Sequence, residues 1–147
     1  MSKLVEAARK YKGVPWRHCG RSGTGLDCAG LPWLAYADCG VALPDRRRYG
    51  REPFKNGLMD AIAEALGVAV WAGAKGTFQR SALQVGDVVV LSPESLPRHV
   101  AIVADDALFG LSLLHADSSP GVMCVAEIGL DDFFVAQIVA VFRRDVE

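Results

Sequence analysis

The sequence has little of what the more specialised classes of protein require. Its 147 residues include only four cysteines, Cys19, Cys28, Cys39 and Cys124. Four are too few for a disulfide scaffold, and gaps of 9, 11 and 85 residues match no zinc template. An excess of one charge is also missing. Sixteen basic and seventeen acidic residues leave a formal net charge of −1, so no global basic field draws nucleic acid or an anionic membrane. No apolar run approaches the roughly 20 residues of a membrane helix. The start, Met1-Ser2-Lys3-Leu4-Val5-Glu6, has neither the apolar core nor the small-residue cleavage site of a signal peptide. Synthesis and retention in the cytoplasm are therefore expected unless other machinery exports the chain. Repeats, linkers and low-complexity tracts are absent too. What remains is a chain 51% hydrophobic and 22% charged, long enough for one soluble globular domain spanning residues 1–147.

The apolar pattern changes along the chain. Residues 2–12 put Leu4, Val5, Ala8 and Tyr11 on one helical face, with Ser2 as a cap and Gly13 and Pro15 as stop signals. Glycines 20, 23 and 25 predict a tight loop. A second helix is expected from Asp27-Cys28 to about Cys39, ahead of Gly40. It has no charged residue between Cys28 and Ala37, as suits a helix surrounded by protein. Residues 44–57, with Arg46-Arg47-Arg48 and Arg51, read as a charged loop, either simply solvated or in contact with an anionic ligand. Leu58, Ile62 and Leu66 mark a third helix ending at Gly67. Beyond it the pattern shifts to short apolar runs, with strands expected at 68–72, 87–92, 99–104, 111–116, 122–128 and 136–143. Helices followed by strands imply an α+β fold with a mainly antiparallel sheet of five to six strands.

The strongest local signal is Gly23-Thr24-Gly25-Leu26-Asp27-Cys28-Ala29-Gly30. With Asp27 as N-cap, Cys28 falls in the first helical turn, where unpaired N–H groups and the helix dipole favour a thiolate. Such a position predicts a thiol pKa below about 8.5. The same N–H groups are candidates to hold an oxyanion, and small Ala29 and Gly30 would admit a substrate backbone. The bland alternative is a buried structural cysteine.

A nucleophilic thiol needs a base from elsewhere in the chain, and only His18, His99 and His115 are available. His99 opens the run His99-Val100-Ala101-Ile102-Val103-Ala104. As a strand residue it shares a face with Ala101 and Val103, which would let a helix pack close and bring Cys28 to the ring. His115 ends the next run, where it can accept the other ring proton of His99 and fix its tautomer. His18, in the glycine loop, is the weakest candidate. Arg17, Arg21 and Arg98 are candidate contacts for a substrate carboxylate. Metal binding through His18, Cys19, Cys28 and Cys39 fits no closed tetrahedral spacing, and no metal or cofactor is expected.

These segments resemble a known family. Gly13-Val14-Pro15-Trp16, Gly20 and Leu26-Asp27-Cys28-Ala29-Gly30-Leu31 are similar to the amino-terminal signature of the NlpC-type cell-wall cysteine peptidases. Leu83-Gln84-Val85-Gly86-Asp87-Val88-Val89 resembles the approach to their histidine strand, Arg98-His99-Val100-Ala101-Ile102-Val103 that strand, and Leu114-His115-Ala116 the strand of their third polar residue. The resemblance implies a minimal papain-like fold, with a cysteine-bearing helix on the sheet. It also implies hydrolysis of peptidoglycan stem peptides next to D-glutamate and a diamino acid. Cys28 would be nucleophile, His99 general base and acid, His115 the orienting residue, and Trp16 and Asp27 substrate or oxyanion contacts. The short chain, the lack of an export signal and the closing run Gln137 to Arg143 look most like the phage-tail branch. Tail-tip proteins are therefore expected partners, with a virion or particle location and action in the cell wall.

The sequence departs from the family pattern in three places. Ala29 replaces the usual serine, Trp16 the usual tyrosine, and Pro32 stands early in the second helix, where it cannot donate to the Cys28 carbonyl and should loosen the first turn. Two other readings therefore remain: a non-catalytic assembly or wall-docking module, and a cysteine amidase or acyltransferase on a related scaffold.

Overall fold

The computed structural model describes residues 2–45, 58–94 and 99–146. The arginines at 46, 47, 48, 51 and 98 lie outside them. Among the described residues, four α-helices and eight strands follow in chain order: α1 Lys3–Arg9, β1 Arg21–Ser22, β2 Gly25–Leu26, α2 Gly30–Asp38, α3 Leu58–Leu66, β3 Trp71–Ala72, β4 Val88–Leu91, β5 His99–Asp106, β6 Gly110–Asp117, β7 Cys124–Gly129, α4 Asp132–Val135 and β8 Ile138–Phe142. Six strands form one sheet in the order β3-β8-β4-β5-β6-β7, every neighbouring pair antiparallel. This is the α+β architecture the pattern implies.

The sheet is covered on both faces, which explains why its central strands read as continuous apolar runs rather than alternating ones. Along β4 and β5, Val88, Val90, Val100, Ile102 and Ala104 pack against the helices through Leu4, Val5, Ala8, Leu31, Tyr36 and Ile62. Val89, Leu91, Ala101 and Val103 point the other way, toward Phe78, Leu83, Leu130 and Val135. His99 therefore stands on the α4 face of the sheet, together with Ala101 and Val103, and not under the cysteine-side helix as expected.

The second helix also differs from its expected start. The Leu31 N–H reaches the Asp27 carbonyl at 3.2 Å, and the Trp33 N–H reaches Ala29 at 3.3 Å. Pro32 has no N–H for the Cys28 carbonyl between them. Regular helix consequently begins at Gly30, and Cys28 sits in the turn before it. Elements missed in the sequence are the β1–β2 hairpin within the glycine loop and the short α4. The edge strand expected over 68–72 shrinks to Trp71–Ala72. Ser2 caps α1 as expected, accepting the Val5 N–H at 3.3 Å.

Helix α1 is fastened to β6 and β7 by one carboxylate. Glu127 accepts from Arg9 Nε at 3.2 Å and Nη2 at 2.8 Å, from Lys12 at 3.1 Å and from the Ser112 hydroxyl at 2.7 Å. These partners, Arg9 foremost, depress its pKa from 4.5 to about 2. A carboxylate with a lowered folded-state pKa stabilises the fold fully above its unfolded value, and that contribution is lost as pH falls. Urea midpoints should accordingly drop from pH 4.5 toward about 2, and should drop less steeply in Glu127→Gln. Parallel midpoint curves for the two proteins would contradict this.

Candidate active site

A cleft of about 540 Å³ opens on the α4 face, at the end of the sheet where β5 starts and β6 finishes. This is ample for a short peptide segment. Cys28, His99, His115, Trp16 and Asp27 all line it, as does His18. The fold therefore gathers the expected nucleophile, base and orienting residue, with Trp16 and Asp27, around one cavity, but not the candidate arginines Arg17 and Arg21.

The histidines are there because antiparallel pairing of β5 and β6 matches Ile102 with Leu114. Continuing that register places His115 level with Ala101 and Asp117 level with His99, all on one face by the strand's two-residue period. His99 Nε2 and His115 Nδ1 lie 2.7 Å apart, a hydrogen bond between edge-on rings. His99 is half-buried and His115 buried.

Cys28 comes from the helix side, around the end of the sheet. Cys28 is 9% exposed as a residue, and the backbone N–H groups of Val100 and Ala29 favour its ionised form. The expected lowering of its pKa is not found. Burial, with a smaller contribution from the Asp27 charge, pushes the thiol up to about 12, against weaker opposing effects of the two N–H groups and Arg21. The helix-start argument failed because regular helix begins two residues later and desolvation outweighs dipole effects at a buried sulfur. At neutral pH the resting group is a thiol, and ionising it requires a base to take its proton.

Asp27 organises this turn. Its Oδ1 accepts from Gly30 N–H at 2.7 Å and Arg21 Nη1 at 2.8 Å, and its Oδ2 accepts from Cys19 N–H at 3.0 Å. Arg21, its side chain 4% exposed, also donates to Asp45 at 2.9 Å and to the Gly20 carbonyl at 2.9 Å. Two expectations change as a result. Arg21 is committed to the interior and does not serve a substrate carboxylate. Asp27, acceptor-only and already met by three N–H donors, acts on the turn and not as an oxyanion donor. Gly30 is likewise small for a packing reason, since a Cβ there would lie 2.1 Å from the Gly20 carbonyl oxygen. The space does not admit a substrate backbone.

The segment Gly13–Trp16 reaches the cleft by pairing with the β7 end. Gly13 N–H donates to Val125 O at 2.8 Å, and Trp16 N–H to Met123 O at 2.9 Å. Arg17 is exposed and absent from the cleft lining; the described lining residues include no lysine or arginine. Among the described residues, His18, Cys19 and Asp27 bring ligand atoms within 4.8 Å of one another. The buried Arg21 beside Asp27 and the N–H donors on both Asp27 oxygens make that trio a poor cation site. Sequence reasoning missed Phe133 and Phe134 of α4 and Asp117 of β6, which also line the cleft. Asp131, whose side chain accepts the Phe134 N–H at 3.1 Å, is the cap signal that marks α4.

A cysteine in the turn before a helix, lining one cleft with paired strand histidines on an antiparallel sheet, fits the minimal papain-like class. The chain belongs to the NlpC/P60 family, whose model matches residues 13–128. Members of that family are generally cysteine peptidases or hydrolases. Among solved structures, the chain resembles the NlpC/p60 domain of the peptidoglycan hydrolase SagA at 22% identity, with a TM-score of 0.57 and 97% of each chain covered. It also resembles the P60 domain of an antigen from M. avium subspecies paratuberculosis, at 18% identity and TM-score 0.59, covering 99% of this chain and 93% of that one. A third match is a lipoprotein-like NLP/P60 protein from Staphylococcus aureus, at 20% identity and TM-score 0.56, covering 96% of this chain and 40% of that one. At these identities the solved structures establish the fold. No curated protein matches by sequence. No helix among the described residues is long and apolar enough to cross a membrane.

Proposed function

We propose that the chain is a cysteine peptidase that hydrolyses peptidoglycan stem peptides next to D-glutamate and a diamino acid, its 147 residues acting as one domain. The observation that carries the reading is the 2.7 Å His99–His115 hydrogen bond in a cleft that Cys28 also lines. With Nε2 held by His115, the other ring nitrogen of His99, Nδ1, is the base. It takes the Cys28 proton as sulfur attacks the stem-peptide carbonyl, and the imidazolium then protonates the departing amine. Water hydrolyses the acyl-enzyme with His99 again as base. Because burial lifts the Cys28 thiol to about 12, the sulfur needs His99 to take its proton if it is to attack. Trp16 offers the substrate an aromatic wall and one indole N–H. The phage-tail setting rests on the sequence resemblance, and delivery particles of such a phage are where the protein should be found.

Muropeptide mass spectrometry after incubation tests the reaction and identifies the bond cut. His99→Ala should abolish hydrolysis, and His115→Ala should slow it less, since His115 acts by orienting the ring. Equal losses would give His115 a more direct part in the chemistry.

The buried, high-pKa thiol favours one rival, a docking module that keeps the fold without turnover. Stoichiometric iodoacetamide labelling of Cys28 at neutral pH, lost in His99→Ala, separates an active thiol from an inert one.

A further inference from the structure

His115 has a second ring nitrogen, Nε2, that is buried and has no hydrogen-bond partner among the described residues. A buried polar atom left in this state is costly and needs an explanation. The nearest acidic atom is Asp117 Oδ2 at 3.9 Å, too far for a hydrogen bond but close enough for a strong electrostatic influence in a partly buried site. His115 and Asp117 are two residues apart on β6, so their side chains share the cleft face. The carboxylate is held in place, because Asp117 Oδ1 accepts the Ser119 N–H at 2.8 Å. Its side chain is only 20% exposed.

The consequence lies in the proton arrangement. The short His99–His115 contact needs one N–H and one lone pair, and neutral rings allow two arrangements. In the first, His99 Nε2–H donates to His115 Nδ1. His99 Nδ1 is then a bare base, and His115 carries its proton on Nε2, toward Asp117. In the second, His115 Nδ1–H donates to His99 Nε2. His99 then carries its remaining proton on Nδ1 and cannot accept one from a thiol there. That arrangement also turns the bare Nε2 lone pair of His115 toward a carboxylate. The first arrangement is attractive at Asp117 and the second repulsive.

We propose that Asp117 is a positioning residue for the reaction: its carboxylate selects the Nε2–H tautomer of His115, and through the His99–His115 bond this keeps His99 Nδ1 unprotonated and able to act as base. The inference rests on the peptidase reading for its catalytic meaning but not for its tautomer effect. Burial lowers the His115 pKa below its ordinary 6.5, so at neutral pH the ring is neutral and the choice of tautomer matters.

The test uses the full chain with ¹⁵N-labelled histidine. Two-bond ¹H–¹⁵N spectra at neutral pH should show His115 protonated at Nε2 in the parent. In Asp117→Ala the Nδ1–H form should become populated, and Asp117→Glu should restore the parent pattern at least in part. Iodoacetamide labelling of Cys28 should slow in the alanine variant by about tenfold or more, the lower end of what outer partners of metal-bound imidazoles contribute. The glutamate variant should recover part of that rate. An unchanged His115 tautomer and unchanged labelling in a folded Asp117→Ala protein would overturn the proposal. A parent that leaves muropeptides uncut while the alanine variant still shifts the tautomer would sink the peptidase reading and leave the role of Asp117 standing.

Discussion

Cys28→Ser should fold like the parent and lose muropeptide hydrolysis by roughly 10⁴- to 10⁶-fold, the scale on which a nucleophile–base unit fails when one member is removed. Oxygen replaces sulfur at a site walled by the Val100 and Ala29 N–H groups, so the change in volume is small and the fold keeps its packing. The chemistry suffers because a hydroxyl gives up its proton far less readily than a thiol. In this cleft even the thiol is pushed up to about 12 by burial, which leaves little margin for a weaker acid. Thermal midpoints within about 2 °C of the parent, with no product by mass spectrometry, are the expected pair of results; a midpoint shift of that size corresponds to under about 1 kcal/mol in a chain of this length. Parent-level cleavage by the serine variant would remove Cys28 from the mechanism.

Asp27→Ala should be the most destabilising single change at the site, by about 3–5 kcal/mol, because it leaves the guanidinium of Arg21 short of a buried partner. The loss is compounded. Gly30 N–H loses the acceptor that caps α2, itself worth about 1 kcal/mol, and Cys19 N–H loses its acceptor at the same time. The remaining Arg21–Asp45 pair at 2.9 Å keeps the cost from rising further. At about 2–4 °C per kcal/mol for a chain of this length, the thermal midpoint should fall by roughly 6–20 °C. Asp27→Asn keeps an acceptor for Gly30 N–H and should lose less. A midpoint unmoved in the alanine variant would mean that Arg21 finds another partner and that Asp27 does not organise the cysteine turn. Activity measured on whatever folded Asp27→Ala protein remains should also drop, since the turn carries Cys28.

Several parts of this arrangement were legible in the residues themselves. Val88–Leu91 and the run from His99 to Ala104 read as buried strands because four or more consecutive apolar residues need cover on both faces, and the two core clusters provide it. Pro32 announced an irregular first turn because a missing N–H is a property of one residue. Cys28, His99 and His115 could be chosen because a thiol at a helix entry and imidazoles at strand ends are unusual placements for those side chains. Position alone did not say which face of the sheet His99 would take relative to the helices. An alternating strand offers either face to either layer, and the outcome depended on Val100, Ile102 and Ala104 packing against the helices.

The amino-acid order alone determined the antiparallel α+β class, the family resemblance and the identity of the three residues on which the proposed chemistry rests. These follow from hydrophobic period, turn chemistry and residue type, all of which are local. Tertiary structure alone decided that Arg21 turns inward to Asp27 and Asp45, that the Cys28 thiol is raised and not lowered, and that Asp117 faces the buried nitrogen of His115. Each of these depends on desolvation or on charges set close by folding, quantities that have no value until distant segments meet.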